Sequence, residues 1–329
     1  MNILIPDVLR EPVDIEAEIF GTDANIIVGE AKSHEGITDE VWSNCDAILA
    51  FDQIIYDKDL ISKLVNCKVI VRVGVGYDNV DLLAAKNKDI LVCNVPDYGT
   101  EEVADHTMGM LLSLLRGLPE YTRRVQQRNY SRENHMPARL REKIMGIIGL
   151  GRIGTATALR AKAFGMKIIF YDPYKDDGYD KSLGIDRVDT LHDLARLSDI
   201  VSIHAPLTNE TENMIDDSFF KNVKVGSILI NTARGPIIDL SALRNAMKKR
   251  KIKGACLDVL PIEPSDDSQQ LIVDYENDEE WLKGRLVVTP HIAFYSPQAY
   301  EEMRKKAAQE ALRVLNGEKA RNCVNDFYE

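Results

Sequence analysis

Short runs of Ile, Val and Leu recur along the chain and alternate with longer stretches of helical periodicity. Runs that are almost continuously apolar are typical of strands buried on both faces, which occur in parallel sheets covered by helices. The alternation with helices therefore predicts an α/β protein built on parallel sheets. Five strands are predicted in the first part of the chain, at residues 1–5, 25–28, 47–51, 69–73 and 90–95.

A second series of apolar runs begins near residue 145. It follows a long helical pattern over residues 101–126, for which Thr100 is a plausible N-cap, and a polar and basic stretch over residues 127–143. Six strands with helices between them predict a doubly wound, nucleotide-binding sheet. These strands are predicted at residues 145–148, 167–171, 200–204, 227–231, 254–257 and 286–289.

Two segments near the end of the chain have distinctive compositions. The last helix is predicted to begin with Ser296 as N-cap and Pro297 as its first residue, and to end at Gly317. Residues 265–280 contain seven acidic residues and no basic one. We interpret this acidic segment as a solvated loop rather than an interaction motif.

The overall charge and length exclude several classes of protein. The chain has 329 residues, which predicts two domains, or one large one, at roughly 100–200 residues per domain. Its net charge of −11 argues against binding to nucleic acid or to an anionic membrane, because polyanions require a basic surface. The longest apolar run, residues 108–115, is far shorter than the ~20 residues that span a bilayer.

The cysteines and the first ten residues bear on the cellular compartment. Residues 1–10 contain no long apolar run and no small-residue cleavage site. Five cysteines without a CxxC motif predict a reduced, cytoplasmic compartment and thiols that act as packing residues, and no metal site is expected. The cysteines are Cys45, Cys67, Cys93, Cys256 and Cys323.

A glycine motif predicts the dinucleotide site. Gly149, Gly151 and Gly154 form a GxGxxG pattern between an apolar strand and a helical stretch, which is the context that the motif requires. The first glycine permits a tight turn, the second allows close approach of a pyrophosphate, and the third lets the helix pack on the sheet. The N–H groups of Arg152 and Ile153 are the expected phosphate donors, at the positive end of the helix dipole.

The acidic residue that follows predicts which dinucleotide binds. Asp172 ends the next predicted strand, 23 residues after Gly149, where its carboxylate can accept both ribose hydroxyls of NAD. The same carboxylate would repel the 2′-phosphate of NADP. Lys175 lies nearby, but the pattern favours NAD as the cofactor.

Polar residues follow the last three predicted strands. Arg234 comes after residues 227–231, Asp258 and Glu263 come after the next strand, and His291 comes after the last. Ligands of open α/β sheets bind at the carboxyl ends of strands. A guanidinium matches the two oxygens of a carboxylate, and an imidazole donates a proton near neutral pH, so this set can bind a carboxylate and transfer a proton.

The sequence resembles the D-isomer-specific 2-hydroxyacid dehydrogenase family over nearly its whole length. Within that family, residues 156–173 and 291–296, with 322–325, are most similar to the C-terminal binding protein branch. The motifs that carry the resemblance are 72–81 (RVGVGYDNVD), 102–107 (EVADHT), 146–154 (GIIGLGRIG) and 230–235 (INTARG), with Asp258, Glu263-Pro264 and Pro290-His291.

The resemblance implies roles for individual residues. Arg234 would bind the substrate carboxylate, together with the backbone N–H groups of Val75 and Gly76. His291 would exchange a proton with the carbonyl oxygen, and Glu263 would pair with it and favour its charged form. Positions that match those lining the dinucleotide are Thr107, Pro206, Thr232, Ala233, Asp258 and Ala293, together with Arg234 and His291.

The resemblance also implies an architecture of two doubly wound parallel-sheet domains. Residues 1–98 and 300–329 would form a flavodoxin-like substrate domain, and residues 99–299 a Rossmann NAD-binding domain. We expect a homodimer built through the NAD-binding domain. The expected function is NAD-dependent interconversion of a small 2-oxo acid and its D-2-hydroxy acid; the alternative is an NADH-sensing, protein-binding module of the C-terminal binding protein type.

Four further side chains have more than one interpretation. His204, at the end of a predicted strand, either lines the adenine site or has a structural role. Phe294 and Tyr295 either form a wall of the substrate pocket or pack in the interior. His106 is interpreted as a packing or interdomain residue.

Overall fold

The computed structural model describes residues 1–132 and 138–325. The chain divides into two compact units, Met1–Gly99 with Tyr295–Glu329, and Thr100–Phe294. These boundaries lie one and five residues from the predicted ones. The assignment of the first unit to the substrate stays a prediction.

The first unit contains a five-stranded parallel sheet with the strand order β2-β1-β3-β4-β5. This is the flavodoxin-like doubly wound order, so the predicted fold of this unit is confirmed. Its strands are β1 (Asn2–Ile5), β2 (Asn25–Val28), β3 (Ala47–Ala50), β4 (Val69–Arg72) and β5 (Leu91–Asn94), and its first helices are α1 (Asp14–Phe20), α2 (Asp39–Asn44), α3 (Lys58–Lys63) and α4 (Leu82–Lys86).

The second unit contains a seven-stranded parallel sheet with the order β12-β11-β10-β9-β6-β7-β8. This order confirms the predicted Rossmann fold. The two-residue strand β8 was not predicted, because Asp and Arg give no apolar run. The strands are β6 (Ile144–Ile148), β7 (Lys167–Tyr171), β8 (Asp186–Arg187), β9 (Ile200–Ile203), β10 (Ser227–Asn231), β11 (Ile252–Leu257) and β12 (Leu286–Val288).

The prediction of a single helix over residues 101–126 is wrong in one respect. It is two helices, α5 (Thr100–Arg116) and α6 (Leu118–Gln126), because Gly117 between them has a left-handed φ of 63°. Thr100 is the first residue of α5 rather than its N-cap. The other helices are α7 (Arg152–Ala163), α8 (Tyr179–Leu183), α9 (Leu191–Leu197), α10 (Asp217–Asn222), α11 (Leu240–Lys248) and α12 (Gln270–Glu276), with 3₁₀ turns at His34–Gly36, Gly235–Ile237 and Glu280–Leu282.

The central strands β6, β9 and β10 of the second unit are buried on both faces, as their apolar runs predict. Ile147 lies in the core cluster that includes residues of α5 and α7, whereas the adjacent Ile148 lies in the cluster that includes α9, α10 and α11. Successive side chains of a strand point to opposite faces, so each face receives an apolar layer.

Helix α7 packs on the sheet through small residues. Its buried positions are Gly154, Thr157, Ala158 and Ala161. Leu159 is 51% exposed, and Ala163 and Phe164 are also exposed. The helix begins so close to the glycine turn that small residues must face the sheet.

The acidic segment is not only a solvated loop. Within it, α12 buries Leu271 and Ile272. Asp274 lies 2.8 Å from Arg244 of α11, and the hydrogen bond from this guanidinium lowers the pKa of Asp274. The prediction failed because the basic partner lies 30 residues earlier in the chain.

The last helix, α13 (Pro297–Leu315), returns to the first unit. The side chain of Ser296 accepts a hydrogen bond from Ala299 N (2.9 Å), and Gly317 has a left-handed φ of 77°, which confirms both predicted ends. The buried guanidinium of Arg304 binds both carboxylate oxygens of Glu16 on α1 (2.9 and 2.6 Å). None of the helices in the described ranges is long and apolar enough to cross a membrane.

Candidate functional site

The glycine turn between β6 and α7 has the geometry that its sequence predicts. Gly149 has a left-handed φ of 86°, and a Cβ there would lie 2.8 Å from Ala205 N. A Cβ at Gly154 would lie 2.1 Å from the carbonyl oxygen of Gly149. In contrast, a Cβ at Gly151 would have no protein atom within 4 Å. The backbone therefore needs the first and third glycines, whereas the second leaves open space before the α7 N-terminus at Arg152 and Ile153.

Asp172 lies beside this turn. One of its carboxylate oxygens accepts a hydrogen bond from Leu150 N (2.8 Å), and the other accepts one from Tyr174 N (3.0 Å). These two bonds fix the carboxylate at the carboxyl end of β7. Each oxygen can accept a further hydrogen bond, so the group is positioned to bind hydroxyls.

The turn after β10 is organised by the side chain of Asn231. Its amide oxygen accepts a hydrogen bond from Ala233 N (3.0 Å), and its amide nitrogen donates to the carbonyl oxygen of Arg234 (2.8 Å). The hydroxyls of Thr232 and Thr107 lie 3.0 Å apart, which links this turn to α5. Thr107, Thr232, Ala233 and Arg234 are therefore brought together.

The Arg234 turn approaches the segment that carries Glu263. A Cβ at Gly235 would lie 1.9 Å from the carbonyl carbon of Leu260, so only glycine fits there. Leu260 N in turn donates a hydrogen bond to Glu263 Oε1 (2.6 Å). This close contact holds the ends of β10 and β11 together and sets Glu263 in place.

Asp258 organises the turn after β12. Its side chain is fully buried and accepts hydrogen bonds from Thr289 Oγ1 (2.6 Å), Ile292 N (3.0 Å) and Ala293 N (3.0 Å). Its backbone carbonyl oxygen accepts one from His291 N (2.7 Å). A buried carboxylate is costly unless donors surround it, so the turn must close around Asp258. His291 lies inside this turn with a left-handed φ of 52°.

Sequence reasoning missed the part that His106 plays in this network. His106 Nε2 lies 3.1 Å from Thr289 Oγ1 and 3.6 Å from Asp258 Oδ1. The imidazole thus connects α5 with the donors around the buried carboxylate. Its position directly before Thr107 was the only signal in the sequence, and that signal did not distinguish packing from hydrogen bonding.

His291 and Glu263 form a close pair. The distance from His291 Nδ1 to Glu263 Oε2 is 2.7 Å, and about one third of each side chain is exposed. The ring of Phe294 lies edge-on to the imidazole, with the centroids 6.2 Å apart. Burial acts to raise the pKa of Glu263, but the hydrogen bond and charge of His291, the Leu260 amide and the charge of Arg234 outweigh it and lower the pKa.

His204 and Pro206 follow β9, at the point where Ala205 contacts the glycine turn. His204 Nε2 lies 2.9 Å from Ser202 Oγ, and desolvation lowers the pKa of His204 to about 3. This histidine is therefore neutral at physiological pH and is unsuited to proton transfer.

In the first unit, Val75 and Gly76 lie in a partly exposed turn after β4. The carbonyl oxygen of Val75 accepts a hydrogen bond from the side chain of Asn94 (2.7 Å), which ties the turn to β5. Tyr295 contacts Tyr300 of α13, with the ring centroids 5.9 Å apart.

Within the described residues, no group of three or more His, Cys, Asp or Glu side chains is placed to hold a metal ion.

Comparison with known proteins identifies the family. Residues 108–293 match the profile described as D-isomer specific 2-hydroxyacid dehydrogenase, NAD binding domain. The match covers more than half of the chain and includes the glycine turn, Asp172, Arg234, Glu263 and His291. The chain belongs to the D-isomer-specific 2-hydroxyacid dehydrogenase family.

Individual relatives agree with this assignment. The chain is 36% identical to a D-3-phosphoglycerate dehydrogenase of Methanocaldococcus jannaschii over 91% of its length, and 33% identical to C-terminal-binding protein 1 of Caenorhabditis elegans over 94%. It spans about half the length of these relatives, 56% and 43% respectively. A D-lactate dehydrogenase of Aquifex aeolicus, solved with NAD and lactic acid, is 31% identical with a TM-score of 0.85, and the similarity covers 96% of each chain.

The second unit is thus an NAD-binding domain, and NAD is its cofactor. The residues around the glycine turn fit a bound NAD molecule. The open space at Gly151 lies before the positive end of α7, where phosphates are favoured. The fixed carboxylate of Asp172 stands beside that space.

Two glycine substitutions test this fit. Gly151→Ala adds a methyl group where no protein atom lies within 4 Å. The free energy of unfolding should therefore fall by no more than about 1 kcal/mol, whereas the affinity for NADH should weaken. Gly154→Ala is the matched control, because its methyl group would collide with the Gly149 carbonyl and should lower the melting temperature. Thermal unfolding and NADH fluorescence titration measure both effects. Unchanged NADH affinity in Gly151→Ala would contradict the assignment.

Proposed function

We propose that the protein is an NAD-dependent dehydrogenase that interconverts a small 2-oxo acid and the corresponding D-2-hydroxy acid. The observation that carries the proposal is the His291–Glu263 pair, with 2.7 Å between Nδ1 and Oε2, in the same unit and at the same sheet edge as the glycine turn. An acid–base group and a dinucleotide-binding turn at one edge are what hydride transfer to a carbonyl requires.

Each polar residue has a separate role in this proposal. His291 donates a proton to the carbonyl oxygen during reduction and removes it during oxidation. Glu263 remains ionised, because its pKa is lowered, and it stabilises the protonated imidazole. The guanidinium of Arg234 binds the substrate carboxylate through paired N–H donors. NAD supplies the hydride chemistry when it is bound.

Backbone groups of the first unit complete the proposed substrate contacts. The N–H groups of Val75 and Gly76 would bind the substrate carboxylate. The tie between Val75 and Asn94 supports this role, because it fixes the turn after β4. Which 2-oxo acid fits depends on the side chains around these contacts, and the candidates are glyoxylate, hydroxypyruvate and larger 2-oxo acids.

The cofactor contacts are proposed from the same geometry. Asp172 would accept the ribose hydroxyls and select NAD over NADP, since its carboxylate is already fixed by two amides. Arg152 and Ile153 would donate to the phosphates. The remaining residues proposed to line the dinucleotide are Thr107, Pro206, Thr232, Ala233, Asp258 and Ala293, and all of them lie at or near the carboxyl edge of the seven-stranded sheet.

A second candidate function is an NADH-sensing module that binds a protein partner. The observation in its favour is the 33% identity to C-terminal-binding protein 1. The two functions differ in turnover: the enzyme oxidises NADH in the presence of a 2-oxo acid, whereas the sensor binds NADH without appreciable turnover.

Replacing His291 tests the proposed enzyme. The parent protein should oxidise NADH with at least one member of a panel of 2-oxo acids. His291→Ala should retain NADH binding but lose roughly 10²–10⁴-fold in turnover, because the proton donor is removed. His192→Ala, at an exposed histidine on α9, is the control and should behave like the parent. Parent-like turnover by His291→Ala would refute this mechanism.

Replacing Glu263 tests the pair through its pH dependence. The carboxylate, with its lowered pKa, stays charged until the pH falls through that value, so it supports the imidazolium at neutral pH. Glu263→Gln removes this support, and the alkaline limb of the reduction profile should move to lower pH. The measurement is kcat/KM against pH, with the exposed Glu276→Gln as control. An unmoved limb would show that the pair has no part in proton transfer.

We also propose a homodimer that forms through the NAD-binding domain. Exposed apolar residues of α6 and the α7 region support it: Leu118, Val125, Leu159 and Phe164 are all at least 45% exposed. Light scattering should give about twice the 37.0 kDa chain mass. The double variant Leu159→Glu/Phe164→Glu should shift the mass towards the monomer, whereas Leu83→Glu in the first unit should not. A monomeric parent at micromolar concentration would contradict the proposal.

A further inference from the structure

Two cysteines of the first unit face each other across an antiparallel bridge. Cys93 lies in β5, and Cys323 lies in the segment that follows α13. The backbone hydrogen bonds flank the two cysteines rather than joining them, so they form a non-hydrogen-bonded pair, a type in which the Cα atoms typically lie about 4.5 Å apart. Disulfides form at Cα separations of roughly 4.4–6.8 Å. The flanking bonds run from Val324 N to Val92 O (2.8 Å) and from Asn94 N to Asn322 O (3.2 Å).

Neighbouring side chains hold this bridge in register. Asn325 accepts a hydrogen bond from Val92 N (2.9 Å) and donates one to Ile90 O (2.8 Å). The buried carboxylate of Glu310 accepts a hydrogen bond from Arg321 N (2.6 Å). The segment is therefore anchored on both sides of Cys323, and the two thiols stay opposite each other.

The two thiols differ in access to solvent. Cys93 is fully buried, whereas Cys323 is partly exposed. The adjacent Cys323 thiol and burial both raise the pKa of Cys93. A small oxidant can thus reach the pair only through Cys323. Cys45 and Cys67 form a second pair in contact, but both are buried, so that pair has no comparable entry point.

We propose that Cys93 and Cys323 are an oxidation site that forms an intramolecular disulfide with a low-molecular-weight disulfide as the oxidant. Cys323 attacks one sulfur of the oxidant and releases the first small thiol. Cys93 then attacks the Cys323 sulfur and releases the second. Two protein thiols and one small disulfide become one protein disulfide and two small thiols, which carry away both protons.

This cross-link would join the two stretches of chain that build the first unit, Met1–Gly99 and Tyr295–Glu329. It closes a covalent ring that contains the whole NAD-binding domain. A ring of this length removes much of the freedom of the unfolded chain, so the oxidised protein should melt at a temperature roughly 5 °C higher.

The test uses the reduced full-length protein incubated with glutathione disulfide. Thiols titrated after denaturation should fall from five to three, and peptide mass spectrometry should find a Cys93–Cys323 cross-link. Cys323→Ser should leave Cys93 as a thiol. Cys93→Ser should stop at a mixed disulfide on Cys323. Cys67→Ser is the matched control and should form the cross-link like the parent.

Three results would overturn the proposal. One is a parent protein that keeps five thiols. Another is a parent that stops at the glutathione adduct of Cys323. The third is a cross-link between Cys45 and Cys67 in place of the proposed one. An oxidised protein with an unchanged melting temperature would overturn the stabilising effect of the cross-link.

Discussion

All seven strands of the NAD-binding domain run in the same direction, and the site depends on this constraint. The carboxyl ends of β6, β7, β9, β10, β11 and β12 therefore open at one edge, where the polar turns come together. The order of the strands reverses between β6 and β9, and there Gly149 and Ala205 are in such close contact that no side chain could separate them. The glycine turn lies at this reversal, which is where ligands of doubly wound sheets bind.

A single buried carboxylate shapes the turn that carries His291 at the same edge. Asp258 has no Arg or Lys partner among the contacts described above; a hydroxyl and two amides surround it, and His106 lies 3.6 Å away. Its donors come from the turn that contains His291, so satisfying the buried charge also fixes the backbone that carries the imidazole. The left-handed backbone of His291 costs about 1–3 kcal/mol, and the hydrogen bonds to Asp258 compensate for it.

Membership of the family and the local geometry are independent arguments for the proposed dehydrogenase reaction. The relatives include a phosphoglycerate dehydrogenase, a lactate dehydrogenase and a C-terminal-binding protein, so one scaffold accompanies several functions. What distinguishes an enzyme from a sensor is the ability of the site to transfer a proton. The close pairing of His291 with an ionised Glu263, beside Arg234, is the feature of this chain that favours catalysis.

The sequence by itself determined those features that depend on neighbouring residues. These include the apolar runs that became strands, the glycine turn, and the two ends of α13 at Ser296 and Gly317. Tertiary structure decided features whose partners lie far apart in the chain. Arg244 pairs with Asp274 of the acidic segment, the small residues of α7 face the sheet, and His106 reaches a carboxylate 152 positions later. Periodicity and capping are local, whereas burial and ion pairing depend on which distant segments the fold brings together.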